Sequence, residues 1–186
     1  MTKELEERDR VRDLLGKVVS PEIAEELLNK KLELGGEERE VTILFTAVRN
    51  FTTLSENYPQ RAVLEMLNTH LTRMRTVVEK NGGVVDKYIG DSVMAIFGAP
   101  LHHDDADRRL KTAIEMMQME KEINEDFKRK GLTAIEIGIG INTAVVIAGN
   151  MGSQSRMNYT VIGDGVNVAS RLENLTRVTQ CLKINL

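Results

Sequence analysis

Residues 84–97, VVDKYIGDSVMAIF, decide how the rest of the chain is read. VVDKYI (84–89) and SVMAIF (92–97) are short, largely apolar and β-branched runs, and Gly90-Asp91 between them is a tight hairpin signal. The spacing predicts two antiparallel strands with an acidic residue at the turn, ended by Gly98-Ala99-Pro100. Working towards the N-terminus, a helix is expected from about Pro59 to Lys80. Val63, Leu67, Leu71, Met74 and Val78 share one face, and Asn81-Gly82-Gly83 provides the stop. Before it, VTILFT (41–46) has no polar face, as expected of a central strand. Towards the C-terminus, a long helix is expected from about Asp104 to Lys130, with Asp104 and Asp105 at its positive end. IEIGIGIN (135–142) reads as a strand, VVIAG (145–149) as a hairpin arm answering it, YTVIG (159–163) as a further strand and Val166 to Leu175 as a helix. The order is β-α-β-β-α-β followed by further β and α elements. It predicts an α+β fold, a ferredoxin-like sheet with helices packed on one face.

Residues 1–31 read as helix in two parts. Leu5, Val11, Leu14, Leu15, Val18 and Val19 form an apolar stripe, and Ser20-Pro21-Glu22 supplies an N-cap and a first-turn proline for the second part. A solvated amphipathic helix and a coiled-coil lead-in to a dimeric domain both fit. Gly35-Gly36, followed by Glu37-Glu38-Arg39-Glu40, reads as a linker, giving a helical segment and linker over 1–36 and one domain over 37–186. With a net charge of −3, nothing in the composition suggests a nucleic-acid footprint, which would need a basic face. No apolar run approaches the length of a membrane span, the charged N-terminus is unlike a signal peptide, and the single cysteine, Cys181, excludes an internal disulfide framework. The expectation is a cytosolic domain, or the cytosolic piece of a larger protein.

Two turns carry candidate chemistry. FTAVRNFT (45–52) runs from the end of a strand into a helix start, where open backbone N–H groups form a natural phosphate cradle. Asp91, at the hairpin tip, is an acid presented by rigid neighbours. Each has a plainer reading: Asp91 as a turn residue, and Lys87, four positions earlier, as an edge-strand charge.

Four segments in order, VTILFTAVRNFTTLSE, VVDKYIGDSVMAIFGAP, IGIGIN…GNMGS and YTVIGDGVNVASRLEN, resemble the signature segments of class III adenylate and guanylate cyclase catalytic domains, from about Val41 to Glu173. KVVSPEIAEELL (17–28) is similar to the helical element that often precedes this domain. The resemblance implies a head-to-tail homodimer with sites at the interface. There two aspartates of one protomer hold two Mg2+ or Mn2+ ions, and the ribose 3′-oxygen attacks the α-phosphorus of the nucleotide. It assigns Asp91 to the second metal position and places Ala47 at the first, where the family has aspartate. Alanine has no oxygen to offer a hard cation. Phe45, Thr46, Asn50, Phe51 and Thr52 fall in the phosphate-binding turn. Lys87 and Thr160 match the pair that recognises adenine, which implies ATP, and Asn167 and Arg171 match the pair that orients the ribose and stabilises the transferring phosphate. They stand four residues apart, hence on one helix face.

The sequence departs from the family pattern at Ala47, at Ala144-Val145 and at its ending, TRVTQCLKINL, where the resemblance implies further strands; Lys183 is given no role. The expectation is an adenylate cyclase domain with turnover impaired by Ala47, or a silent relative that binds nucleotide as a regulatory or heterodimer partner; the remaining alternatives are a generic ferredoxin-like binding module and a GG(D/E)EF-type enzyme, whose turn KYIGDS does not match. An upstream sensor is compatible with either. His102-His103-Asp104-Asp105 reads as a solvated loop and helix start, and Met116, Met117 and Met119 as packing.

Overall fold

The computed structural model describes residues 34–100, 106–176 and 180–184, together with Arg10, Ser20, Ile23 and Ala24. The rest of the helical lead-in, the His102-His103-Asp104-Asp105 run and the side chain of Lys183 lie outside the described residues. Where the lead-in is described, Ser20 Oγ accepts from Ile23 N–H at 3.4 Å and the Ser20 carbonyl accepts from Ala24 N–H at 2.9 Å, the N-cap that Ser20-Pro21 predicts.

In chain order the elements are β1 (Gly35–Val48), α1 (Phe51–Asn57), α2 (Gln60–Lys80), β2 (Val84–Ile89), β3 (Ser92–Phe97), α3 (Ala106–Arg129), β4 (Ile137–Ser153), β5 (Arg156–Ile162), α4 (Asp164–Leu175) and β6 (Gln180–Ile184). The sheet runs β2-β3-β1-β4-β5, with β6 lying parallel to β4 beside Gly138–Asn142. Both strands of the 84–97 hairpin and the helix after Pro59 form as the sequence predicts.

Three expectations are corrected. Gly35–Glu40 is strand rather than linker: β1 pairs with β4 without a break from Gly35↔Asn150 to Val48↔Ile137, and this ladder needs no apolar periodicity at its exposed end. Residues 135–149 are not a hairpin, because β4 is one strand of 17 residues and Asn142-Thr143-Ala144 pairs in register with Val41-Thr42-Ile43. Helices cover both faces, not one. One core joins Leu44, Val85, Ile137 and Ile139 to Met74 of α2 and Met116 of α3, while a second joins Val41, Ile43, Phe45 and Met94 to Ala169 of α4. Met117 and Met119 pack against the first core, as predicted.

β2 and β5 stand at opposite ends of the strand order, yet Lys87 Nζ of β2 lies 3.0 Å from Thr160 Oγ1 of β5. The sheet is therefore curved enough for these side chains of its two end strands to touch, as strand twist accumulated over several strands permits. Among the described residues, no helix is long and apolar enough to cross a membrane.

Candidate active site

The C-terminal end of β1 and the tip of the β2–β3 hairpin meet. Thr46 pairs with Val93, and Asp91 Oδ2 accepts the backbone N–H of Val48 at 2.9 Å. Asp91 is thereby held beside Ala47, whose side chain is buried at 8% exposure. The backbones of Phe45 and Thr46 pair on both sides, with β3 and β4, and both side chains are interior. The open groups of this turn come later. Asn50 takes a left-handed conformation (φ 52°) and makes no side-chain cap, so the first N–H groups of α1, at Phe51, Thr52 and Thr53, have no cap partner. Phe51 packs against the first core, and Asn50 and Thr52 are exposed.

Lys87 and Thr160, the two residues to which the resemblance gives adenine recognition, come together within one chain. Lys87 Nζ donates to Thr160 Oγ1 at 3.0 Å, Thr160 Oγ1 donates to Asp86 Oδ2 at 2.8 Å, and Lys87 Nζ lies 3.1 Å from the same carboxylate oxygen. The Asp86 side chain is fully buried, and burial pushes its pKa up against the opposing pull of Lys87 and Thr160. Sequence reasoning missed Asp86; the only local signal is its place next to Lys87.

Asn167 and Arg171 stand exposed on α4, four residues apart. The opposite face of α4 is fastened to the metal-position turn by a second group that the sequence did not reveal. Arg49 Nη2 donates to the Glu173 carbonyl at 2.7 Å and to Thr176 Oγ1 at 2.9 Å, and forms an ion pair with the Glu173 carboxylate. Burial raises the Glu173 pKa, Arg49 lowers it, and the negative charge of Asp91 raises it further. Arg49 lies over Gly138, and Asn142 Nδ2 donates to the Gly165 carbonyl at 2.9 Å, which fixes the start of the same helix.

Among the described residues, no cluster of three metal-ligating side chains occurs. Asp91 supplies one carboxylate and Ala47 supplies none. This donor set fits one divalent cation carried largely by phosphate oxygens, a common mode for Mg2+, and does not fit a pair held by protein carboxylates.

The family model described as the adenylate and guanylate cyclase catalytic domain matches residues 36–184. An adenylate cyclase of Anabaena cylindrica is 38% identical over 157 residues, covering 82% of this chain and 30% of the relative. An uncharacterised protein of Mycobacterium tuberculosis is 33% identical over 177 residues, covering 95% of this chain and 32% of the relative. The chain thus spans about a third of the length of these curated relatives. Among solved structures, the adenylyl cyclase CyaB from P. aeruginosa superposes with a TM-score of 0.77 at 36% identity, covering 81% of this chain and 79% of that one. The guanylyl cyclase Cya2 superposes with a TM-score of 0.77 at 38% identity, covering 81% and 77%. Overall similarity does not separate adenylyl from guanylyl members, so base choice has to be argued from the site. On the match of its sequence, sheet and helices, the chain belongs to the adenylate and guanylate cyclase catalytic domain family.

Proposed function

We propose that this domain binds ATP and is built to convert it to 3′,5′-cyclic AMP and pyrophosphate at a site shared by two head-to-tail copies, with Ala47 keeping turnover of this sequence low. The observation that carries the reading is the Lys87–Thr160 pair, a cationic donor and a hydroxyl 3.0 Å apart, suited to the N1 acceptor and 6-amino group of adenine. The N–H groups at the start of α1, with Asn50 and Thr52 beside them, bind the phosphates. Asn167 orients the ribose and Arg171 stabilises charge on the α-phosphate, both from the second copy. Asp91 holds a Mg2+ or Mn2+ ion that arrives with the triphosphate, and such an ion supplies charge neutralisation to phosphoryl transfer. Removal of the 3′-hydroxyl proton is the step for which this chain is least equipped, because position 47 carries a methyl group.

Ala47→Asp tests this directly. Assayed with manganese on ATP and on GTP, the variant is expected to form cyclic AMP at least about a hundredfold faster than the unaltered chain, since a factor of ten in rate corresponds to about 1.4 kcal/mol. Strong manganese-dependent cyclic AMP formation by the unaltered chain would refute the part given to Ala47, and a preference for GTP would refute the base assignment. A second reading, a silent partner that completes another chain's site, is favoured by the exposure of Asn167 and Arg171 on α4, which owes nothing to position 47.

A further inference from the structure

We propose that Asp86 sets the purine preference of the site by fixing the direction of the Thr160 hydroxyl. The inference rests on Lys87 and Thr160 being the base-recognising pair. A threonine hydroxyl alone is ambivalent, since it can accept from a 6-amino group or donate to a 6-oxo group. Here the choice is made before any base arrives. Thr160 Oγ1 donates to Asp86 Oδ2 at 2.8 Å and receives Lys87 Nζ at 3.0 Å. With its proton committed and one lone pair occupied, the hydroxyl has only an acceptor position left. Lys87 has three N–H groups, two directed at Thr160 and Asp86, so it has one donor left. An acceptor beside a donor complements the 6-amino group and N1 of adenine. The same pair meets a 6-oxopurine with acceptor facing acceptor and donor facing donor.

The backbone shows that this placement is built. Val85 pairs with Ala95 and Lys87 pairs with Met94, which leaves Asp86 as the extra residue of a β-bulge. Met94 belongs to the core on the α4 side, and Ala95 to the core beneath α2 and α3. In a regular ladder Asp86 would stand opposite Met94, and Lys87 would turn to the α2/α3 face. The extra residue lets consecutive side chains reach the same hydroxyl, the re-aiming that bulges perform. Asp86 is also costly to keep: its side chain is 0% exposed, and among the described residues its Oδ1 has no hydrogen-bond partner. A residue that served only to hold the strand would not need a buried carboxylate.

Equilibrium binding with manganese, comparing ATP with inosine triphosphate, tests the proposal on the chain as it stands. Inosine triphosphate carries the 6-oxo group and N1–H of guanine without its 2-amino group, and so isolates the two positions in question. The unaltered chain is expected to prefer ATP by about tenfold or more, as mismatched hydrogen-bonding groups in a site do. Asp86→Asn keeps the shape but presents an amide that can donate to Thr160 and release its proton. The preference is then expected to fall within about threefold, with ATP weakened and inosine triphosphate not. If Asp86 is merely structural, both nucleotides weaken together and the ratio stays, which overturns the proposal. Should Asp86→Asn fail to fold, Asp86→Ser is read on the same ratio. Thr160→Val separates the two levels. If it abolishes the preference while Asp86→Asn does not, only the role of Asp86 falls. If the unaltered chain shows no preference, or Thr160→Val leaves the preference intact, the base-recognising pair falls and this inference with it.

Discussion

His70 shows how much chemistry a single buried side chain hides. It sits on α2 at 1% exposure close to the backbone of Asp91, and neither ring nitrogen makes a well-formed hydrogen bond among the described residues. Burial draws its pKa from 6.5 down to about 4, against the upward pull of the Asp91 backbone. The folded value lies below the unfolded one, so the unfolded chain binds more protons between them and stability from this group is lost as pH falls from about 6.5 towards 4. Asp86 and Glu173 act in the opposite sense. Their folded pKa values are raised, so their contribution is complete below the unfolded values and is lost as pH rises through the folded ones. The His70 share is about 3 kcal/mol. In urea titrations at pH 7 and pH 4, His70→Gln is expected to show a loss of stability on acidification smaller by roughly that amount. An unchanged loss would mean that the ring does not resist protonation. At this scale Lys87, Asp91, Thr160, Asn167 and Arg171 stand out in the sequence as candidates because each sits in a recognisable run, and the structure brings Lys87 to Thr160. Asp86, Arg49 and Glu173 were not, since their roles depend on a bulge and on a contact between residues 124 positions apart.

Among the elements, β4 does most to position the site, and its glycines decide how closely α4 can approach. A Cβ at Gly140 would collide with the backbone of Ala169 and Glu173, atoms that cannot swing aside as a side chain can. Gly140→Ala is therefore expected to lift α4 from the sheet and to cost about 2 kcal/mol or more, the usual scale of an overpacked interior. A lower denaturant midpoint together with weakened ATP binding would bear this out, because Asn167 and Arg171 ride on that helix; an unshifted midpoint would refute it. The elements with their own periodicity, the 84–97 hairpin and the helix after Pro59, could be read from sequence. The N-terminal half of β1 and the continuity of β4 could not. Each is specified by the other's backbone rather than by local patterning, and the charged Glu37–Glu40 run conceals the strand.

At the scale of the whole molecule, the proposed dimer divides each site between copies: the β1 turn and Asp91 come from one, and Lys87, Thr160, Asn167 and Arg171 from the other. Complementation follows. A chain carrying Ala47→Asp with Asn167→Ala and Arg171→Ala lacks one half, and the unaltered chain lacks the other. Each alone is expected to stay near background, while their mixture forms cyclic AMP at least about tenfold faster than either. No gain on mixing, with mixed dimers verified by tagged pull-down, would argue against a shared site.

The meeting of β2 and β5 has a mechanical consequence. Lys87 and Thr160 belong to the two ends of one strand order and touch across the curvature of the sheet. Their separation is therefore a gauge of sheet curvature: flattening the sheet by a small angle at each strand adds up across the order and lengthens the 3.0 Å contact. On the proposed function, whatever stiffens or relaxes the sheet from a distance would register as a change in purine affinity with less disturbance of the turn at Asp91, which is formed between neighbouring strands.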